Sequence, residues 1–311
     1  MKKLFLSSAL ALGLISVSNV NAAWPEKPVV ITVGFGAGGT TDIVARAVGE
    51  VVSKELGQPV VIENRPGAGG AVASTAISKM KPDGYNLVAT TSTTITLDPL
   101  ITKLGFDADD FTYVAAIGQF PEAYIAHPDK GWKTLKDATA AAAETDGMTV
   151  ASTTTLDRMV TKYIAKHDGV ELSAVPTKGG AEAVTQVLGG HLDMGYSSGA
   201  YFPQAESGDL VALAALADTR IGGLPDVPTL KEQGYDVSSV NLVLFAAPKG
   251  LSGEAYEKLT EAFKKAGEDP SVTELLAKRS VDAVRLTGED LEQTIADHIE
   301  GYKRLIEATS E

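Results

Sequence analysis

Residues 29–42 read VVITVGFGAGGTTD, a short β-branched run followed by glycines and threonines. Gly34, Gly36 and Gly39 have the G-x-G-x-x-G spacing of a dinucleotide-binding loop, after a predicted strand and before a predicted helix. Glu63 ends the next apolar run, at the place where such folds bind the ribose. The same glycines would let any anion approach bare backbone at a helix N-terminus, so this stretch alone leaves the ligand open.

The N-terminus has the three-part layout of a secretory signal peptide. Lys2 and Lys3 form a basic start, residues 4–17 are apolar, and residues 20–22 are small enough for cleavage near Ala22. The alternative is a single membrane anchor, but the apolar segment is shorter than the roughly 20 residues that a span needs. We therefore predict that residues 1–22 are removed and that the protein is exported.

The amino-acid composition excludes several kinds of site and of binding partner. The chain has 311 residues and no cysteine, which excludes disulfides, thiol catalysis and zinc–thiolate sites. Its formal net charge is −13 at pH 7, so nucleic acid and anionic membrane surfaces are poor partners. The exported part still exceeds the usual size of a single domain, which favours two lobes.

Hydrophobic periodicity predicts short apolar strands alternating with helices, and hence an α/β fold with mostly parallel sheets. Predicted capping boxes start helices at Thr134 and Thr287. The predicted strands are 29–33, 60–63, 86–91, 148–152, 172–176, 192–197, 210–217 and 240–247, and the predicted helices are 41–56, 70–80, 156–167, 181–188, 253–266, 271–279 and 288–308.

Two long apolar runs, at residues 113–127 and 240–248, are predicted to cross between the lobes as a double-strand hinge. Lobe 1 would then comprise residues 23–124 and 243–311, and lobe 2 residues 125–242, with a ligand in the cleft between them. The alternative is two independent domains in series, for which the sequence offers no low-complexity linker.

Catalytic constellations are missing from the sequence. Its four histidines are scattered without metal-ligand spacing, and no G-x-S-x-G motif is present. Nothing places an acid, a base and a nucleophile together, so we predict no catalytic residue, no metal site and no enzyme activity. An exported hydrolase acting on a small molecule is a weaker alternative.

Five segments rich in glycine, serine and threonine each follow a predicted strand and open a helix or loop: 34–42, 90–96, 152–156, 177–180 and 196–199. Helix N-termini and hydroxyls donate hydrogen bonds to carboxylate or phosphate oxygens. Each segment alone is compatible with simple helix capping. Their recurrence at strand ends in both predicted lobes favours a cleft for a small, oxygen-rich anion.

A nicotinamide cofactor fits this sequence poorly. Free nicotinamide cofactors are cytoplasmic, whereas this chain is predicted to be exported. A second glycine-rich run, at residues 65–70, directly follows Glu63 and is not required by a ribose-binding strand end. We predict no cofactor and interpret the first loop as a site for a different anion.

Several motifs lie in order along nearly the whole mature chain: WPEKP at 24–28, GFGAGGTTD at 34–42, GQPVVIENRPGAGG at 57–70, PDGY at 82–85, VPTKGG at 175–180, LGGHLD at 188–193 and LPDVPTL at 224–230. Together they resemble the Bug-type periplasmic solute receptors of tripartite tricarboxylate (TctC-like) transporters. The resemblance implies a two-lobed venus-flytrap fold that closes on a small di- or tricarboxylate. It also implies a periplasmic location and delivery to a permease of large and small membrane subunits. An exported sensor that docks on a signalling partner remains an alternative, and we expect a monomer.

The resemblance implies that the loop after the first strand holds a ligand carboxylate through backbone amides, and that loops of both lobes add hydroxyls. Phe35 and Tyr196 would wall the pocket, and Asp42 is expected to fix its own loop. An acidic residue common in the family near Ser197 is replaced here by hydroxyls, which argues against an amino-acid ligand. The predicted ligand-binding residues are Phe35, Gly36, Gly38, Gly39, Thr40, Thr41, Asp42, Thr91, Ser92, Thr93, Ser152, Thr153, Thr154, Thr177, Tyr196 and Ser197.

Overall fold

The structure, a computed structural model, describes residues 24–310. The predicted signal peptide and its cleavage near Ala22 therefore lie outside the described residues. The strands are β1 Val29–Val33, β2 Val60–Asn64, β3 Asn86–Thr91, β4 Phe111–Gln119, β5 Ala123–Ala126, β6 Met148–Ser152, β7 Leu172–Pro176, β8 Met194–Ser197, β9 Val211–Ala215, β10 Leu242–Pro248 and β11 Leu286–Thr287.

The helices follow most of the predicted positions to within a few residues. Short helices after β3 and before β9, and the two-residue strand β11, were not predicted. The helices are α1 Thr40–Leu56, α2 Ala71–Ser78, α3 Ser92–Thr96, α4 Asp98–Ile101, α5 Leu135–Ala143, α6 Thr155–Asp168, α7 Gly180–Leu188, α8 Phe202–Ser207, α9 Gly253–Glu268, α10 Pro270–Lys278 and α11 Gly288–Thr309.

These elements form two sheets, and the predicted two-lobed α/β fold is confirmed. The first sheet has the order β11-β4-β10-β3-β1-β2, and the second has the order β7-β6-β8-β5-β9. Strands followed by helices pair in parallel in both sheets, as in β1 with β2 and β3, and β6 with β7 and β8. Both sheets are nevertheless mixed, because β10 and β5 pair antiparallel to their neighbours. We call the unit around the first sheet lobe 1 and the unit around the second lobe 2.

Strand β1 is held firmly in lobe 1 because its apolar side chains are fully buried and pack against α1. Val29, Ile31 and Val33 are inaccessible, and α1 covers them with a face that includes Val44 and Val48. Burying aliphatic side chains in this way contributes roughly 1.5–3 kcal/mol each to folding, before the cost of ordering the chain. The C-terminal ends of β1 and β3 are thereby fixed side by side, and the loops that leave them share one edge of the sheet.

Lobe 2 is organised in the same manner, with α5, α6 and α7 following its strands. The predicted capping box at the start of α5 is confirmed: Asp137 N–H donates to Thr134 Oγ1 at 3.2 Å, and Thr134 N–H donates to Asp137 Oδ2 at 2.8 Å. The second predicted capping box is wrong. Thr287 precedes α11, but its side chain makes no capping hydrogen bond, and its backbone, as part of β11, pairs with Ala115 of β4.

Helix α11 packs against both lobes. Leu291 and Ile295 lie in a core cluster with lobe 1 residues, whereas Tyr302 and Leu305 lie in the core cluster of lobe 2. Near its end, the Lys162 ammonium of α6 donates to the Thr309 carbonyl at 2.5 Å. The predicted lobe boundaries stay a prediction, and the last turns of α11 contact lobe 2 even though that prediction assigned them to lobe 1.

The chain crosses between the sheets at residues 120–122 and again at residues 216–241, and the two crossings pair with each other. Phe120 N–H donates to the Asn241 carbonyl at 2.9 Å, and Leu216 N–H donates to the Glu122 carbonyl at 3.0 Å. The Glu122 carboxylate, which is buried, accepts from Ser239 Oγ at 2.8 Å and from Asn241 Nδ2 at 3.1 Å. A single carboxylate therefore connects both crossings.

Within residues 24–310, no helix combines the length and the apolar composition that crossing a bilayer requires.

We predict that Glu122→Ala lowers the free energy of unfolding by about 3 kcal/mol or more, because it leaves three donors without an acceptor. Two of these donors are Ser239 and Asn241, and the third is the Tyr196 hydroxyl, 2.5 Å from Glu122 Oε1. Urea unfolding monitored by circular dichroism measures the change. The exposed Glu144→Ala is the control, and equal stability of the two variants would contradict a structural role for Glu122.

Burial raises the pKa of Glu122 above its ordinary value, against the hydrogen bonds from Tyr196, Ser239 and Asn241 that lower it. A group whose pKa is raised by folding binds its proton more tightly in the folded protein. Its contribution to stability is therefore complete at pH values below the pKa of the unfolded chain, about 4.3, and is lost as the pH rises through the pKa of the folded protein. The stability of the wild type relative to Glu122→Gln should therefore increase as the pH falls from 7.5 to 4.5. Urea titrations at several pH values test this, and a difference that stays constant would contradict it.

Candidate ligand-binding cleft

A cavity of about 310 Å³ lies between the two lobes. It has room for roughly ten water-sized groups, which is the size of a small organic molecule. Both lobes and both crossings contribute to its wall. The lining residues are Phe35, Gly69, Thr91, Thr93, Thr94, Leu97 and Asp98 from lobe 1, Glu122 and Asn241 from the crossings, and Thr154, Thr155, Leu156 and Tyr196 from lobe 2.

The lobe 1 wall is built where β3 ends and α3 begins. Thr91 Oγ1 and Thr94 Oγ1 are 2.8 Å apart, and Thr94 Oγ1 donates to the Gly69 carbonyl at 2.7 Å. This close approach requires glycine next to it, since a Cβ on Gly70, whose φ is +101°, would lie 2.5 Å from Thr90 Oγ1. The glycine-rich run after β2 therefore supports the threonine-rich turn rather than an NAD ribose.

The lobe 2 wall is organised by a buried carboxylate. Asp157, in the first turn of α6, accepts from Thr153 N–H at 2.8 Å and from Thr154 N–H at 2.7 Å. It also accepts from the hydroxyls of Thr153, Thr154 and Ser152. The donors that the sequence assigns to a ligand are thus held here by a side chain of the protein, which fixes the loop that presents Thr154 and Thr155 to the cavity.

The first loop is fixed in the same way by Asp42. This buried carboxylate accepts from Gly38 N–H at 2.8 Å and Asn64 Nδ2 at 2.7 Å, and it lies 2.9 Å from the Arg46 guanidinium. Burial raises the pKa of Asp42, but the hydrogen bonds from Arg46, Gly38 and Asn64 outweigh it and hold that pKa below its ordinary value. Phe35 reaches the cavity wall, while residues 36–39 are exposed beyond it.

The floor of the cavity is a chain of hydrogen bonds between the lobes. The Tyr196 hydroxyl donates to Glu122 Oε1 at 2.5 Å, and Asn241 Nδ2 donates to the same oxygen at 3.1 Å. Thr93 Oγ1 in turn donates to Asn241 Oδ1 at 3.4 Å. A ligand that contacts this floor would touch groups of lobe 1, lobe 2 and a crossing at once.

Of the sixteen residues predicted from the sequence, five line this cavity: Phe35, Thr91, Thr93, Thr154 and Tyr196. The others do not line it, and several hydroxyls are engaged elsewhere. Ser92 Oγ donates to the Val240 carbonyl at 3.2 Å, and Thr177 Oγ1 donates to the Ser152 carbonyl at 2.9 Å. Ser197 is buried beside Gly180. The predicted residues outside the lining are Gly36, Gly38, Gly39, Thr40, Thr41, Asp42, Ser92, Ser152, Thr153, Thr177 and Ser197.

Sequence reasoning missed the polar residues Asp98, Glu122 and Asn241, together with the apolar Leu97 and Leu156. Glu122 offered a signal, because it is a charged residue inside the apolar run 113–127 that was predicted to cross between lobes. Asp98 follows the threonine-rich segment that was singled out. Asn241 carried no such signal, because the sequence does not indicate which residue of a crossing faces the cleft.

The cavity has an unusual charge balance for an anion site. Among the residues that the structure describes, those lining the cavity include Asp98 and Glu122 but no lysine, arginine or histidine. Residues 24–310 likewise contain no cluster of histidines and carboxylates placed to bind a metal ion.

Thr94 and Thr154 already donate their hydroxyl protons within the protein, whereas the Thr93 hydroxyl makes only a long hydrogen bond of 3.4 Å to Asn241 Oδ1. The hydroxyls of Thr93 and Thr155 and the Asn241 amide are therefore the side-chain donors that this cleft offers.

Comparison with known proteins extends over almost the whole chain. A protein from Cupriavidus necator described as "UPF0065 protein in gbd 5'region" is 32% identical over 306 residues, covering 97% of this chain and 93% of that protein. A TctC solute-binding protein from Polaromonas has a similar structure, with a TM-score of 0.82 and 28% identity over 92% of this chain and 99% of that chain.

MatC from Rhodopseudomonas palustris, solved with bound malate, is also similar in structure. Its TM-score is 0.71 and its identity 26%, over 91% of this chain and all of that chain. The family model described as "Tripartite tricarboxylate transporter family receptor" matches residues 44–310. The chain therefore belongs to the TctC family, the receptors of tripartite tricarboxylate transporters.

Proposed function

We propose that this protein is a periplasmic receptor that binds a small organic carboxylate in the cavity between its lobes. It would then present the ligand to the large and small membrane subunits of a tripartite tricarboxylate transporter. The observation that carries the proposal is the position of the cavity, which is lined by threonine hydroxyls from both lobes in a chain of a solute-receptor family. A similar structure, MatC, holds malate, which is a small dicarboxylate.

The geometry supports binding rather than catalysis. The side chains in the cavity offer hydroxyls, one amide and two carboxyls, and none of the hydroxyls is paired with a histidine or lysine that could act as its base. Closure of two lobes on a ligand uses contacts from both sides, so ligand binding would stabilise the closed form. The closed form is the state that we expect the membrane subunits to recognise.

Identification of the bound molecule tests the proposed function. Small molecules released from the purified protein are measured by mass spectrometry, and the melting temperature is then followed with mono-, di- and tricarboxylates. At a ligand concentration of 100 Kd, binding stabilises the folded state by about 2.7 kcal/mol. We expect at least one carboxylate to raise the melting temperature. A rise with nucleotides or neutral sugars alone would contradict the proposed ligand class.

Thr93→Val tests whether the threonine turn contacts the ligand. Removing a hydroxyl that donates to a charged group costs about 1.5–3 kcal/mol, so the affinity should fall by about tenfold or more. Isothermal titration calorimetry with the carboxylate identified above measures the change. The control is Thr185→Val, an exposed threonine of α7 outside the cavity. Equal affinity of the two variants would remove α3 from the binding site.

A further inference from the structure

The Asp98 carboxylate is the unpartnered charge of the cavity. Glu122, also in the cavity wall, is held by Tyr196, Ser239 and Asn241, and Asp157 behind the wall is held by the loop before α6. By contrast, the half-buried side chain of Asp98 makes no hydrogen bond or ion pair with any residue that the structure describes.

The position of Asp98 is fixed by the turn between two short helices. Leu97 N–H donates to the Thr93 carbonyl at 3.0 Å, and Thr102 N–H donates to the Asp98 carbonyl at 2.9 Å. Leu97 itself is buried in the core cluster of lobe 2. The carboxylate therefore lies on a backbone that is hydrogen-bonded on both sides, close to the junction of the two lobes.

An unpaired carboxylate in such a place is costly for the protein. Burial without a counterion raises the pKa of Asp98 to about 6, so the side chain is still mostly ionised at neutral pH. A basic side chain of the cavity wall could have neutralised it, but none is present among the described lining residues. The guanidinium of Arg158, which is not a lining residue, donates to Thr155 Oγ1 of the lobe 2 wall at 2.9 Å and makes no contact with Asp98.

We propose that Asp98 binds a protonated amine on the ligand, so that the preferred ligand class is a small amino-carboxylate rather than a plain di- or tricarboxylate. The proposal rests on the proposed function, since it names the ligand class of the same cleft. The amine would lie against Asp98, and the ligand carboxylate would accept from the Thr93 hydroxyl of α3 and from the Asn241 amide. Asp98 is then a specificity-determining residue of the cavity.

This inference revises the interpretation drawn from the sequence alone. The loss of an acidic residue near Ser197 argued against an amino-acid ligand, because an ammonium group needs an anionic partner. The structure supplies that partner from the opposite lobe, at Asp98. A ligand with carboxylates at every polar position would instead bring an anion close to an unpaired anion.

Matched pairs of small acids test the proposal by isothermal titration calorimetry on the purified protein at pH 7.5. The pairs are aspartate with malate, glutamate with 2-hydroxyglutarate, and alanine with lactate, which differ only by an amine in place of a hydroxyl. We expect the best amino member to bind at least tenfold more tightly than its hydroxy partner. In Asp98→Asn, this preference should fall by tenfold or more, mainly through weaker binding of the amino member.

Asp146→Asn, the same substitution at an exposed position of lobe 2, is the control and should keep the wild-type preference. A hydroxy or plain carboxylate that binds more tightly than every amino partner would overturn the inference and leave the proposed function standing. If no carboxylate binds, with or without an amine, the proposed function fails and the inference fails with it. The ratios of affinity between amino and hydroxy partners, measured on the wild-type protein, test the preferred ligand class even if Asp98→Asn does not fold.

Discussion

The buried carboxylate of Glu122 is the constraint on which the arrangement of the two lobes depends. A carboxylate removed from water is tolerated only if donors surround it, and here the donors come from separate parts of the chain. Ser239 and Asn241 belong to the second crossing, and Tyr196 lies in β8 of lobe 2. Satisfying one charge therefore fixes the distance between the crossings and places Tyr196 and Asn241 on the floor of the cavity.

Two other buried carboxylates order the loops beside the cleft without lining the cavity themselves. Asp42 and Asp157 each lie in the first turn of a helix and accept backbone N–H groups of the loop before it. Both loops are ordered before any ligand arrives, which lowers the entropic cost of binding. Because these acceptors belong to the protein, the polar donors lining the described cavity are mainly the threonines that follow β3 and those that open α6.

Much of the fold could be predicted from residue patterns. The β-branched run before Gly34 and the apolar face of α1 predict the first strand and helix, and the run 113–127 predicts a crossing. The site could be predicted only in part. Glycine and threonine at a strand end show that a loop offers hydrogen-bond donors, but they do not show whether a ligand or a side chain of the protein accepts those hydrogen bonds. Asp157 accepts the donors of residues 152–154, and no local signal separates it from a ligand carboxylate. Asp98 was missed because its lack of a partner is a property of the three-dimensional environment and not of its neighbours in sequence.

The most direct test is a crystal structure of the protein with the molecule that it retains during purification. If the cavity is the binding site, this molecule lies between the lobes, with a carboxylate oxygen within hydrogen-bonding distance of the Thr93 hydroxyl. If Asp98 binds a protonated amine, a nitrogen of the ligand lies within hydrogen-bonding distance of the Asp98 carboxylate. A ligand bound instead at the exposed residues 36–39, outside the space between Thr93 and Tyr196, would contradict the account.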